Sequence, residues 1–210
     1  MKKVLLIGLT GGIGAGKSEA AAIMAKLGAK VIHADVLGKE VVEENPEILK
    51  RIREAFGDDF FDENGALIRK KLGDLVFSDA DKKKLLDEIV FPALYKQMKD
   101  MISQSAESYD VIVVDAALIF EWGITHDFDL VVTIAALNET VYQRLSRRDS
   151  FNKEQIQNRV KSQYPAVEKA GRSHAVIVND SSLEKLRTAV EYFWNREVVP
   201  LIRKKRKRRL

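Results

Sequence analysis

Gly11-Gly12-Ile13-Gly14-Ala15-Gly16-Lys17-Ser18 fits G-x-x-x-x-G-K-[ST] and stands between two segments that give the pattern its meaning. The apolar run Val4 to Leu9 before it reads as a strand. After it, Ala20, Ile23, Met24 and Leu27 share one face of a helix that begins near Lys17. Glycines in such a loop let successive backbone N–H groups close on a phosphate, and the helix N-terminus adds partial positive charge. Lys17 would reach the outer phosphates and the Ser18 hydroxyl would coordinate Mg²⁺. A glycine-rich turn that merely starts a helix is the structural alternative.

Outward from this loop, three further apolar runs lack strict alternation: Val111 to Val114, Leu130 to Ile134 and Ala175 to Val178. Runs of this kind suit parallel strands covered on both faces, and Val31-Ile32 reads as a weaker fifth strand. Helical patterns separate them, including Leu183, Leu186, Val190 and Phe193, with Ser181 and Glu184 at capping-box spacing. The alternation predicts an α/β fold of the P-loop nucleoside-triphosphate type, a parallel sheet of about five strands flanked by helices. The expected division is one kinase-sized domain over 1–202, with its core in 1–35 and 108–202. A charged helical insertion over 36–107 sits at the carboxyl edge of the sheet, where α/β folds bind ligands. A helical lid spans about 145–165, and a basic tail, expected to be solvated and mobile, covers 203–210.

Composition narrows the function. A chain of 210 residues, 46% hydrophobic, can bury one core with an added subdomain. The absence of cysteine removes disulfides, thiolate-bound metal and a thiol nucleophile. The formal charge is +4, yet seven basic residues lie in Arg203 to Arg209, so the remaining chain is net acidic and no specific nucleic-acid partner is indicated. The longest nearly apolar stretch, Val111 to Phe120, contains Asp115 and falls short of the roughly 20 residues of a membrane span. Lys2 and Lys3 precede a short apolar run that leads into the glycine loop rather than a cleavage site, so a soluble, cytoplasmic protein is expected. No motif sets an oligomeric state.

Several residues around the loop carry chemistry. Asp115 ends a strand where a carboxylate can reach Mg²⁺ through water; it could equally form a turn. Asp35 follows the second strand at the same sheet edge, and could orient an acceptor hydroxyl, hold the metal, or cap a helix starting at Val36. Arg144, Arg147 and Arg148, with Asp149, close one amphipathic stretch, while Asn152 and Gln155 can cap the next. That arrangement suits a lid carrying positive charge to a phosphoryl group, or basic residues complementing a helix dipole. His33, His126 and His174 are isolated and form no metal constellation.

Taken together these segments resemble the dephospho-coenzyme A kinase family over nearly the whole chain up to the tail. The similar stretches are Gly8 to Ser18, Val31 to Asp35 with Glu40-Val41-Val42, Asp115 to Glu121, Arg144 to Asp149 with Gln163, and Val178-Asn179-Asp180. The resemblance implies transfer of the ATP γ-phosphoryl to the ribose 3′-hydroxyl of dephospho-coenzyme A, with Mg²⁺. It further implies that Asp35 is the base, and that Gly11 to Ser18, Glu19, Arg144, Arg148 and Asn179 hold ATP. Lys17 and Arg144 would act on the phosphates, Ser18 and Asp115 on the metal, and Leu67 and Arg69 on the acceptor. Three positions differ from the family pattern, all on the acceptor side: His33 replaces the first aspartate of D-x-D, and Phe91 and Tyr95 replace a histidine and an arginine. Other small-molecule P-loop kinases would share the loop and lid but not the Asp35 and Asn179 segments together. A GTP-binding switch fits Asp35-Val36-Leu37-Gly38 to D-x-x-G, but Asn152-Lys153-Glu154-Gln155 lacks the aspartate that reads guanine.

Overall fold

Odd and even positions of the central strands point into different clusters, and this sets the layering. Leu5, Ile7 and Leu9 pack with Val113, Val132 and Ile134 on one side of the sheet, whereas Leu6, Ile112, Val114 and Val131 pack on the other. Both faces are therefore dry, as a parallel sheet requires. In this computed structural model, which describes residues 4–148 and 152–207 and only the backbone of Arg148, the strands are β1 (Leu5–Gly11), β2 (Lys30–His33), β3 (Val111–Asp115), β4 (Leu130–Ala135) and β5 (Ala175–Val178). All pair in parallel, in the order β2-β3-β1-β4-β5. β1 runs two residues further than its apolar pattern suggests, because Thr10 and Gly11 continue the ladder opposite Thr133 and Ile134. A Cβ on Gly11 would stand 2.2 Å from the Ile134 carbonyl oxygen, so only glycine lets the two strands approach there.

Helices α1 (Lys17–Lys26) and α9 (Leu183–Phe193) cover the first face. They bury Ala20, Ala21, Ile23, Met24, Leu186, Val190 and Phe193 in its cluster, each large side chain contributing roughly 1.5–3 kcal/mol of transfer free energy. The second face is covered by α2 (Ala34–Glu44) through Leu37 and by α5 (Ala80–Ser105) through Leu94 and Met98. The other half of α5 belongs to the insertion, whose separate core joins Val41 and Val42 to Ile48 and Ile52 of α3 (Pro46–Phe56), Leu72 and Val76 of α4 (Arg69–Ser78), and Ile89. One long helix thus fastens the insertion to the sheet. After β4 come α6 (Asn138–Arg148), α7 (Lys153–Lys161) and α8 (Ala166–Arg172). The box expected at α7 forms: Asn152 Oδ1 accepts from Gln155 N at 2.9 Å, and Gln155 Oε1 accepts from Asn152 N at 3.1 Å.

Three expectations are corrected. The second strand's helix begins at Ala34 with His33 as its N-cap residue, so Asp35 lies inside the first turn instead of capping a helix from Val36. At α9 the cap is Ser182, whose hydroxyl accepts from Lys185 N at 3.3 Å; Ser181 is one residue too early. The basic tail is ordered as far as it is described: after a π-helical turn (Trp194–Val198), α10 runs from Val199 to Lys207. Leu201 and Ile202 pack on the core, and Lys205 Nζ donates to the Val4 carbonyl and to Asp129, each at 2.7 Å. Arg206 pairs with Asp110. Asp110 and Asp129 directly precede β3 and β4, so the cations find carboxylates at the amino edge of the sheet, the edge away from the glycine loop.

Candidate functional site

Between β1 and α1 the chain turns so tightly that Gly14 and Gly16 adopt φ of 72° and 94°. Backbone in this left-handed region favours glycine, and it brings consecutive N–H groups to one side. Ala15 N bonds back to the Gly12 carbonyl at 3.2 Å, closing the turn, and α1 starts at Lys17. Lys17 Nζ donates to the Gly11 and Gly12 carbonyls at 3.1 and 3.2 Å, which draws the ammonium back across the loop mouth. The far side is held by Gln163, whose Oε1 accepts from Ile13 N at 3.2 Å, and by Asn179, whose Nδ2 donates to the Ala15 carbonyl at 2.8 Å. The loop is therefore braced by chain more than 140 residues away, in the turn between α7 and α8 and directly after β5.

A cleft of about 570 Å³ opens above the loop, and Lys17, Ser18, Asp35, Asp115, Arg144 and Asn179 all border it. Gly14, Gly16, Ile13, Glu19 and Arg147 also line it. Arg144 is fixed at the phosphate loop: its guanidinium donates to the Asn179 carbonyl at 3.0 Å and to the Gly14 and Ala15 carbonyls at 3.4 Å. The side chain of Arg148, and Asp149, lie outside the described residues. Leu67 and Arg69 do not border the cleft. Leu67 bridges to Phe61, and Arg69 donates to Glu43 at 3.0 Å and to the Lys39 carbonyl at 2.8 Å, tying α4 to α2.

Asp115 ends β3 opposite His33, the last residue of β2, and His33 Nδ1 lies 3.1 Å from Asp115 Oδ2. Burial pushes the Asp115 carboxyl above the usual carboxylate range, although Lys17 and His33 pull against it. Ser18 and Asp115 both offer oxygen donors at the border of the cleft, and no group of three or more His, Cys, Asp or Glu able to hold a metal occurs among the described residues. A magnesium ion that keeps its waters and phosphate ligands needs only one or two protein oxygens, so these residues fit it.

Between α8 and the chain after β3 lies a charge pair that sequence reading did not reveal. Lys169 is fully buried; its Nζ donates to the Ala117 carbonyl at 2.6 Å and pairs with Glu121 at 2.8 Å. Burial lowers the Lys169 pKa, opposed by Glu121. Glu121 also accepts from Tyr164 N at 2.8 Å, next to Gln163, so the turn between α7 and α8 is fastened on one side to the glycine loop and on the other to the loop after β3. A lysine within Ala166–Arg172 reads as an ordinary surface charge, and no spacing links it to Glu121. Beyond Glu121 a second cavity, of about 920 Å³, lies between α4 and α5 on one side and α7 on the other, bordered by Phe77, Phe91, Pro92, Trp122 and Tyr164. Phe91 packs on Trp122 with ring centroids 5.1 Å apart, and the Tyr95 hydroxyl donates to Asp127 at 2.7 Å.

This arrangement has parallels among known proteins. The family model for dephospho-CoA kinase matches residues 5–185. The chain belongs to the dephospho-CoA kinase family. It is 36% identical to the dephospho-CoA kinase of Bacillus cereus over 197 residues, covering 91% of this chain and 98% of that one. It is 39% identical over 188 residues to the dephospho-CoA kinase of Syntrophotalea carbinolica, covering 89% of each chain. A crystal structure from Thermus thermophilus is similar with a TM-score of 0.78 and 30% identity, over 93% of this chain and 99% of that one. The dephospho-CoA kinase match takes in the loop, Asp35, Asp115, Arg144 and Asn179 and stops within α9, leaving α10 outside it. No described helix is long and apolar enough to cross a membrane.

Proposed function

We propose that this member of the dephospho-CoA kinase family moves the γ-phosphoryl of ATP to the ribose 3′-hydroxyl of dephospho-coenzyme A, completing coenzyme A in the cytoplasm. The observation that carries the proposal is that Asp35, at the start of the insertion, borders the same cleft as Lys17 and Ser18. Donor and acceptor groups can therefore meet in one volume shielded by the lid, as in-line transfer requires.

In this reading the N–H groups of Gly12 to Ser18 and the start of α1 hold the phosphate chain, while Lys17 neutralises charge on the transferring group. Arg144 and Asn179, bonded to each other and to the loop, position the nucleotide at the β5 side of the cleft. Ser18 and Asp115 would hold Mg²⁺, which when bound supplies charge neutralisation at the phosphates. Asp35 orients the acceptor hydroxyl and takes its proton late, because the loose transition state demands little from a base early on. Arg69 contributes through α2, anchoring the helix that carries Asp35, and Leu67 through the core of the insertion. The second cavity, with its apolar wall at Phe91 and Trp122, offers room for the remainder of the acceptor.

A coupled assay of ADP formation tests this. Dephospho-coenzyme A should support turnover with ATP, while shikimate, gluconate and nucleoside monophosphates should not. Turnover with one of those acceptors in place of dephospho-coenzyme A would overturn the assignment.

A further inference from the structure

Position 33 carries a histidine where the family pattern has an aspartate, and the structure gives that histidine a definite partner. We propose that His33 is a positioning residue for the metal carboxylate: it occupies Oδ2 of Asp115 and so leaves Oδ1 to face the magnesium of Mg·ATP. The inference rests on the reading of Asp115 as the metal-side carboxylate.

The geometry is specific. β2 and β3 are in register with His33 beside Asp115, and the Nδ1 to Oδ2 distance is 3.1 Å. A carboxylate that binds a metal is ionised and can only accept, so in that state His33 Nδ1 is the donor. Asp115 is 8% exposed at its side chain and His33 is 44% exposed, so the imidazole spans from the buried carboxylate to solvent. With χ rotation of Asp115 restrained from one side, its other oxygen keeps a fixed aim. An aspartate at position 33 could not do this, because it has no donor and would add a third negative charge beside Asp115 and Asp35. Partners of metal ligands that fix orientation typically change metal affinity by 10–100-fold when removed.

The test measures binding, not turnover, and uses ADP with and without MgCl2 by isothermal titration calorimetry. The reported quantity is the factor by which MgCl2 tightens ADP binding. His33→Asn retains a donor near the Nδ1 position, whereas His33→Gln places it beyond reach and His33→Ala removes it. The expected result is a factor within about twofold of the parent for His33→Asn, and one reduced by roughly tenfold for His33→Ala and His33→Gln. ADP affinity without MgCl2 should be unchanged in all three, and their unliganded melting temperatures identify any folding defect. Asp115→Asn separates this idea from the reading beneath it. If Asp115→Asn abolishes the magnesium effect while His33→Ala leaves it at the parent value, the positioning role of His33 is wrong and the metal assignment stands. If Asp115→Asn also leaves the magnesium effect intact, both fall.

Discussion

Asn179 Nδ2 lies where a side chain on residue 16 would begin: a Cβ built on Gly16 would stand 2.1 Å from it. The two residues come from opposite ends of the core, the glycine loop after β1 and the end of β5, and Asn179 uses the absence of that Cβ to reach the Ala15 carbonyl. The fit of the loop against β5 thus depends on glycine twice, for space and for a φ of 94°.

Gly16→Ala should therefore disturb both the fold and the nucleotide site. A non-glycine residue held at positive φ costs about 1–3 kcal/mol, and the contact forces Asn179 away from the loop. Thermal denaturation should show a lower midpoint, and ATP affinity should fall by more than about tenfold on that energy scale. Adding Asn179→Ala should recover part of the stability, since it removes the collision and leaves the φ strain. A Gly16→Ala protein with parental midpoint and ATP affinity would show that the loop has another way to pack.

The buried pair of Lys169 and Glu121 makes a different prediction. Lys169→Met leaves the Glu121 carboxylate without its cation, and breaking such a pair from one side costs on the order of 3–5 kcal/mol. Replacing both, as Lys169→Met with Glu121→Gln, removes the uncompensated charge and should return most of that stability. Urea denaturation of the two single variants and the double variant measures the coupling. Additive losses would mean that the pair is not an energetic unit.

Much of this fold can be read locally because its signals are local. Leu130 to Ile134 and Ala175 to Val178 are apolar runs whose ends coincide with β4 and β5 within a residue, and the glycine loop is a contiguous motif. Asp115, ending one strand, and Asp35, following another, are recognisable as carboxylates at one sheet edge. What sequence reading misses is made by distant partners. His33 meets Asp115 across 82 residues, Lys169 meets the Ala117 carbonyl across 52, and Lys205 meets the Val4 carbonyl across 201. No periodicity encodes such pairings. The tail shows the consequence: a run of lysine and arginine has the composition of a solvated segment, yet Asp110 and Asp129 wait for it at the amino edge.

Removal of residues 203–210 accordingly should lower stability without touching catalysis. Exposed or half-exposed ion pairs contribute about 0.2–1 kcal/mol each, and Lys205 adds a hydrogen bond to the Val4 carbonyl worth about 1 kcal/mol, so a loss near 1–3 kcal/mol is expected. Part of it should disappear at high salt, where the ion pairs are screened. Turnover at a temperature where both forms are folded should stay within about twofold, because α10 lies at the sheet edge away from the cleft. An unchanged denaturation midpoint would show that the contacts of Lys205 and Arg206 contribute nothing, and a collapse of turnover would link the tail to the site.

Asp35→Asn decides what the carboxylate at the start of α2 does. Its placement in the first helical turn, after His33 as N-cap residue, removes the capping role, since no described backbone N–H is held by its side chain. A carboxylate there still interacts favourably with the helix N-terminus, an effect of about 0.3–1 kcal/mol that asparagine would lose. Stability should therefore fall only within that range. ATP affinity should be kept, because the phosphate loop, Arg144 and Asn179 hold the nucleotide. Asparagine can still accept a hydrogen bond from the acceptor hydroxyl but cannot take its proton, so the loss should appear in kcat and not in the KM for dephospho-coenzyme A. General-base removal typically costs ~10²–10⁴-fold, and a fall of at least roughly a hundredfold is expected here. A stable Asp35→Asn protein with near-parental kcat would rule out proton acceptance by Asp35. A raised KM at unchanged kcat would instead assign it to holding the acceptor.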